Sequence, residues 1–67
     1  MKYHFNFDNL EARVLHTMDN YYLSVYEGDK LIYDYPVCLY SLKDCGTVVR
    51  SRFNKKGMRI NWIEVKE

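Results

Sequence analysis

Phosphate-binding glycine loops, metal-ligand clusters and long apolar runs are all missing from this 67-residue chain, and each absence removes a class of function. Only Gly28, Gly46 and Gly57 are available, too scattered for a Walker or dinucleotide-binding loop. Cys38 and Cys45 lie seven residues apart with no CxxC spacing and no nearby histidine, so they do not spell a zinc site. No apolar stretch approaches the roughly 20 residues a spanning helix needs. The opening Met1-Lys2-Tyr3-His4-Phe5-Asn6-Phe7 has no apolar signal core, which places the expected location in the cytoplasm and both thiols in the reduced state. Cys38 is expected in the core and Cys45 in a turn beside Gly46. No membrane, metal or cofactor is expected.

Catalytic residues are scarce too. His4 falls on the polar face of an alternating segment, and His16 sits near Asp19 in what reads as a turn. A nucleophile, a base and an orienting carboxylate must also share a geometry that residue types alone do not supply. A small hydrolase or transferase using His16 or Cys45 is the weakest of three functional readings, and the chain is read as non-enzymatic.

Aromatic residues, by contrast, are plentiful: seven tyrosines, three phenylalanines and Trp62. They suit a single core over residues 1–67, because large rings bury much area in a short chain. Charge is unevenly spread. Residues 1–46 hold four basic and seven acidic side chains, a net −3, whereas residues 47–67 hold six basic and two acidic, a net +4.

Turn chemistry recurs at Asp8-Asn9, Asp19-Asn20, Gly28-Asp29 and Asn54-Lys55-Lys56-Gly57, with runs of strand length between. Residues 2–7 alternate Tyr3, Phe5 and Phe7 against Lys2, His4 and Asn6, the period of a half-buried strand. Residues 10–17 fit a second strand that sets Leu10, Ala12 and Val14 opposite Phe7, Phe5 and Tyr3. The same stretch also fits a helix capped by Asp8 and Glu11, with Leu10, Val14 and Met18 four apart. Residues 21–27 and 30–35 form a hairpin about Gly28-Asp29. Its closure puts Tyr22, Tyr26, Tyr33 and Tyr35 on one face, with Val25 and Ile32 on the other. With the aliphatic face as core the tyrosines form an exposed patch, and with the tyrosines as core the other face is exposed; both orientations are open, Asp34 on the aliphatic face favouring the second because an unpaired buried carboxylate is costly. Residues 37–46 read either as a short helical turn closing at Gly46 or as a crossing loop with Leu39 and Leu42 beneath the sheet. A last hairpin pairs residues 47–53 with 58–65, so that Val49, Ser51 and Phe53 oppose Trp62, Ile60 and Met58.

The expected fold is a small antiparallel β meander of five or six strands, curled as a sandwich or SH3-like barrel. The alternative is α+β, with one helix near residues 9–18. Two surfaces carry the functional expectation. One is the basic hairpin, with Arg50, Arg52, Lys55, Lys56 and Arg59 gathered opposite Trp62 and Phe53. The other is the patch of Tyr22, Tyr26, Tyr33 and Tyr35. The leading reading is a protein–protein binding module with an acidic partner, such as a regulator or inhibitor of a larger complex. Self-association as a homodimer sharing the sheet edge would cover exposed edges. The alternative is nucleic-acid binding through the basic hairpin, which can present cations to phosphates.

Overall fold

Three tight reversals organise the first half of the chain. Phe7 pairs with Leu10, Thr17 with Asn20 and Glu27 with Lys30, so each loop holds two residues and the loops recur every ten. The first residue of each loop is left-handed: Asp8 at φ 54°, Met18 at 56° and Gly28 at 60°. Aspartate tolerates this conformation and glycine adopts it freely, but methionine does so at a cost.

The computed structural model describes residues 1–66. Strands β1 (Lys2–Phe7), β2 (Leu10–Thr17), β3 (Asn20–Glu27) and β4 (Lys30–Asp34) form the meander. Helix α1 (Leu42–Arg52) and strand β5 (Ile63–Val65) complete the chain. The sheet is antiparallel in the order β4-β3-β2-β1-β5. β4 and β5 therefore lie at opposite edges pointing the same way, and α1 is the crossover between them. Met1 extends the ladder, its amine donating to the His16 carbonyl at 2.8 Å and its carbonyl accepting from His16 at 2.7 Å.

One face of the sheet is covered. Phe7, Ala12, Val14, Leu23 and Val25 are buried there against Cys45 and Val49 of the helix. Phe53 makes T-shaped contacts with the rings of Phe7 and Tyr33. Helix α1 starts at Ser41, whose backbone is extended and whose Oγ accepts from the Asp44 amide at 3.0 Å. It ends on Asn54, left-handed at φ 58°, with the Lys55 amide donating 2.8 Å to the Arg50 carbonyl. This is the left-handed helix terminus that glycine usually supplies and asparagine sometimes does. Residues 53–62 then run back along the helix as a strap. Arg50 donates to the Met58 carbonyl at 3.2 Å and the Trp62 indole donates to the Leu42 carbonyl at 3.2 Å. Ile60 lies against Gly46, where an added Cβ would come 3.5 Å from its Cδ1; a glycine here lets the strap approach the helix.

Several expectations are corrected by this arrangement. The sheet is open rather than closed into a sandwich or SH3-like barrel, and the fold is α+β, not all-β. The helix is not at residues 9–18, of which Leu10–Thr17 form β2 in the register that alternation gives. It lies at Leu42–Arg52 and replaces the expected 47–53/58–65 hairpin, because Leu42, Cys45 and Val49 place one small apolar stripe on the sheet. The second reversal is Met18-Asp19, one residue earlier than Asp19-Asn20. A bulge also breaks the β3–β4 register: Tyr26 opposes Leu31 but Val25 opposes Tyr33. The extra residue turns Tyr33 to the covered face beside Leu23 and Val25 and Asp34 to the open one, so Tyr33 and Tyr35 part from Tyr22 and Tyr26 instead of sharing a face with them.

Candidate functional surfaces

The five basic residues picked out in the sequence do share one layer, though not a two-stranded ribbon. Arg50 and Arg52 occupy the last turn of α1, where they also complement the negative end of the helix dipole. Lys55, Lys56 and Arg59 follow on the strap. Residues 42–62 as a whole hold six basic side chains and one acidic, a net +5, while residues 1–41 hold three basic and six acidic, a net −3. Charge is thus divided between the layers: cationic helix and strap, anionic meander.

Some of these cations have structural work. Arg50 is held against the strap by its bond to Met58. The Arg52 guanidinium stands 5.0 Å from the Tyr33 ring centre and 5.9 Å from that of Phe53. Lys55 Nζ pairs with Asp8 Oδ2 at 2.7 Å. Lys56 and Arg59, both exposed, form no ion pair with another described residue, and neither does exposed Lys43. The layer is also free of apolar display. Every large hydrophobic residue that is exposed lies outside residues 42–62.

The tyrosines do not form one patch. Tyr22 and Tyr26 stand on the open face of the sheet, while Tyr33 and Tyr35 pack toward the core beneath the helix. The open face instead combines apolar and polar groups from alternate strand positions. Leu15, Tyr22, Leu31, Ile63 and Val65 are all exposed there, at 40–56%. Beside them runs a polar row. Glu11 accepts from Arg13 Nε at 2.7 Å, and the Arg13 guanidinium covers the Tyr26 ring at 3.9 Å. Its bond to Glu11 holds the Arg13 pKa above its usual value. His4 Nδ1 lies 3.1 Å from Glu11 Oε2 but off the line of a hydrogen bond, and it is shielded from solvent without another partner. Between β1 and β4, above Ser24, the face dips into a shallow concavity of about 510 Å³. Sequence reasoning missed this surface. Its signal was the same alternation that revealed the core, read for the opposite parity.

The residues named for catalysis stay apart from one another. His16 stacks on Tyr21 with ring centres 3.9 Å apart. Cys45 is fully buried, and burial pushes its thiol up to about 11, with the Asp44 carboxylate adding to the effect. A thiol so placed is a poor nucleophile. Among the described residues no group of three or more His, Cys, Asp or Glu side chains could hold a metal ion, and no helix is long and apolar enough to cross a membrane. No protein-family model matches the chain, and neither a curated protein nor a solved structure is similar enough to it to count as a match.

Proposed function

We propose that this protein is a nucleic-acid-binding module that holds phosphates on its helix and strap. The observation that carries the reading is the layered charge: a net +5 over residues 42–62 with no large apolar side chain exposed among them. Protein interfaces build around an apolar centre with a polar rim. A phosphate backbone asks only for cations at suitable spacing, and the affinity comes largely from released counterions. The supporting cations are Lys43, Arg52, Lys56 and Arg59, with Arg50 and Lys55 bracing the strap that carries two of them. An acidic protein would also be attracted to this surface, but it would find no apolar anchor there.

Fluorescence anisotropy with short duplex and single-stranded oligonucleotides tests the proposal. With about four phosphate contacts, log K should fall against log salt with a slope of about −3 to −4. Replacing Lys56→Glu together with Arg59→Glu should weaken binding at low salt by about tenfold or more and roughly halve that slope. Absence of binding at low salt, or a slope indifferent to the double variant, would overturn the reading.

A further inference from the structure

The strap runs antiparallel to helix α1 and keeps step with it. Met58, Ile60 and Trp62 meet the helix at Arg50, Gly46 and Leu42. From Leu42 to Arg50 the helix rises about 12 Å, and from Met58 to Trp62 an extended chain covers about 13 Å. Met58, Ile60 and Trp62 are accordingly half-buried, while Arg59 and Asn61 between them are exposed. Lys43, Gly46 and Arg50 follow the i, i+3, i+7 spacing of one helix stripe, so exposed Lys43 stands on the flank beside the strap. Lys56 lies in the turn that the Met58 amide closes on the Lys55 carbonyl. Lys43, Arg59 and Lys56 thus form one row along the seam between helix and strap.

Arg52 is not in that row. It follows Lys43 by about two and a half turns, which puts it on the opposite flank of the helix, where its guanidinium lies over Tyr33 of β4. Between the flanks runs the crest, with Asp44, Thr47 and Ser51 all exposed. Asp44 is the one acidic residue of the layer, so the crest repels a phosphate. The cations form two tracks about a helix diameter apart, 10–12 Å, divided by a ridge that is neutral to acidic. Given the nucleic-acid reading, on which this rests, we infer that the ligand is a double helix straddled across a groove. The Lys43–Arg59–Lys56 row holds one strand and Arg52 the other.

A single strand offers one line of phosphates and cannot meet both tracks. Its binding also draws on aromatic rings that stack bases, and the layer has none to give. Phe53 is engaged by Phe7 and Tyr33, with ring centres 5.6 and 5.9 Å away. Trp62 packs on Phe5 at 6.3 Å and donates its indole N–H to Leu42. A duplex needs no stacking. From Lys43 to Arg52 the helix is roughly 14 Å long, the axial length of about four phosphates of one strand. The separation of the tracks is close to the width of a major groove, about 12 Å.

Fluorescence anisotropy at low salt with a short DNA duplex, the RNA duplex of the same sequence and their separate strands tests this. A duplex should bind about tenfold or more tightly than either of its strands. Its log K should fall against log salt with a slope of about −3.5, against about −2 for a single strand that meets only the row. Arg52→Gln should lower the duplex slope by about 1 and leave the single-strand slope unchanged. Arg52→Lys, which keeps the charge, should restore the duplex slope, and circular dichroism of both variants should match the wild type. Preference for either duplex supports the inference, and the tighter of the two identifies the source. Single strands that bind as tightly as duplexes would overturn it while leaving the nucleic-acid reading in place, as would an Arg52→Gln variant with an unaltered duplex slope. Binding to no oligonucleotide at low salt would remove both.

Discussion

Residues 1–34 and residues 35–66 are nearly equal in length and are held by different rules. In the meander each strand pairs with its sequence neighbour through a two-residue loop, so pairing partners are close along the chain. In the second half the helix and strap owe their places to contacts reaching across the molecule: Cys45 and Val49 on the sheet, Trp62 on Leu42, β5 on β1. The helix sequence includes Gly46, Thr47, Val48 and Val49, all weak helix formers. A segment of eleven residues is also too short to be stable alone. The comparison teaches that the meander is a template and that the C-terminal half folds upon it.

The largest expected effect tests that dependence. Leu23, 1% exposed, lies at the centre of the face the helix covers. Leu23→Ala should cost about 2–5 kcal/mol through lost transfer energy and the cavity left behind. For a domain of this size that is a large share of the total. Helical and sheet signals in circular dichroism should fall together along one denaturant curve. Leu15→Ala, eight positions away in the chain but on the open face, should change stability by about 0.5 kcal/mol or less in a monomer. A helix that outlasts the sheet in the Leu23 variant would break the comparison.

A second test uses the one group whose ionisation the helix–sheet contact resists. Burial raises the Cys45 thiol from 9.0 to about 11. The unfolded chain therefore gives up this proton at lower pH than the folded one does. Stability from this source is intact below pH 9.0 and is lost as pH rises toward about 11, an effect on the order of 2–3 kcal/mol. Urea curves between those limits should show wild type losing that increment relative to Cys45→Ala, whose profile lacks it. Parallel profiles would mean that the helix admits water at this contact.

The same division explains what could be read in advance. The pairing of Phe7 with Leu10, Phe5 with Ala12 and Tyr3 with Val14 was legible because alternation and a two-residue loop together fix a register. The bulge in β4 was not, since nothing in Lys30–Asp34 distinguishes an extra residue from an alternating one. Tyr33 and Tyr35 consequently left the tyrosine patch for the core. In the second half, Val49, Ser51 and Phe53 alternate as a strand would, while Leu42, Cys45, Gly46 and Val49 recur as a helix would. Valine favours the first pattern locally, and the packed sheet decides for the second. Ser41 three residues before Asp44 marked the true helix start. The basic residues 50–59 were legible as a cluster but not as a surface, because their grouping depends on the strap folding back over the helix.

The smallest expected effect sharpens the claim that the meander is locally built. Of the three left-handed loop positions, Met18 is the one whose side chain opposes the conformation, at φ 56° and 89% exposed. Its side chain packs on little, so replacing it removes strain at almost no loss of burial. Met18→Gly should stabilise the protein by about 0.5–1 kcal/mol, the relief of the Cβ clash exceeding the extra freedom glycine gives the unfolded chain. Met18→Asn should give part of the same gain. In a domain of this size the gain corresponds to a rise in Tm of about 2–8 °C. Were the Tm unchanged or lowered, the second reversal would be imposed by the sheet around it, as the helix is, and the two halves would obey one rule.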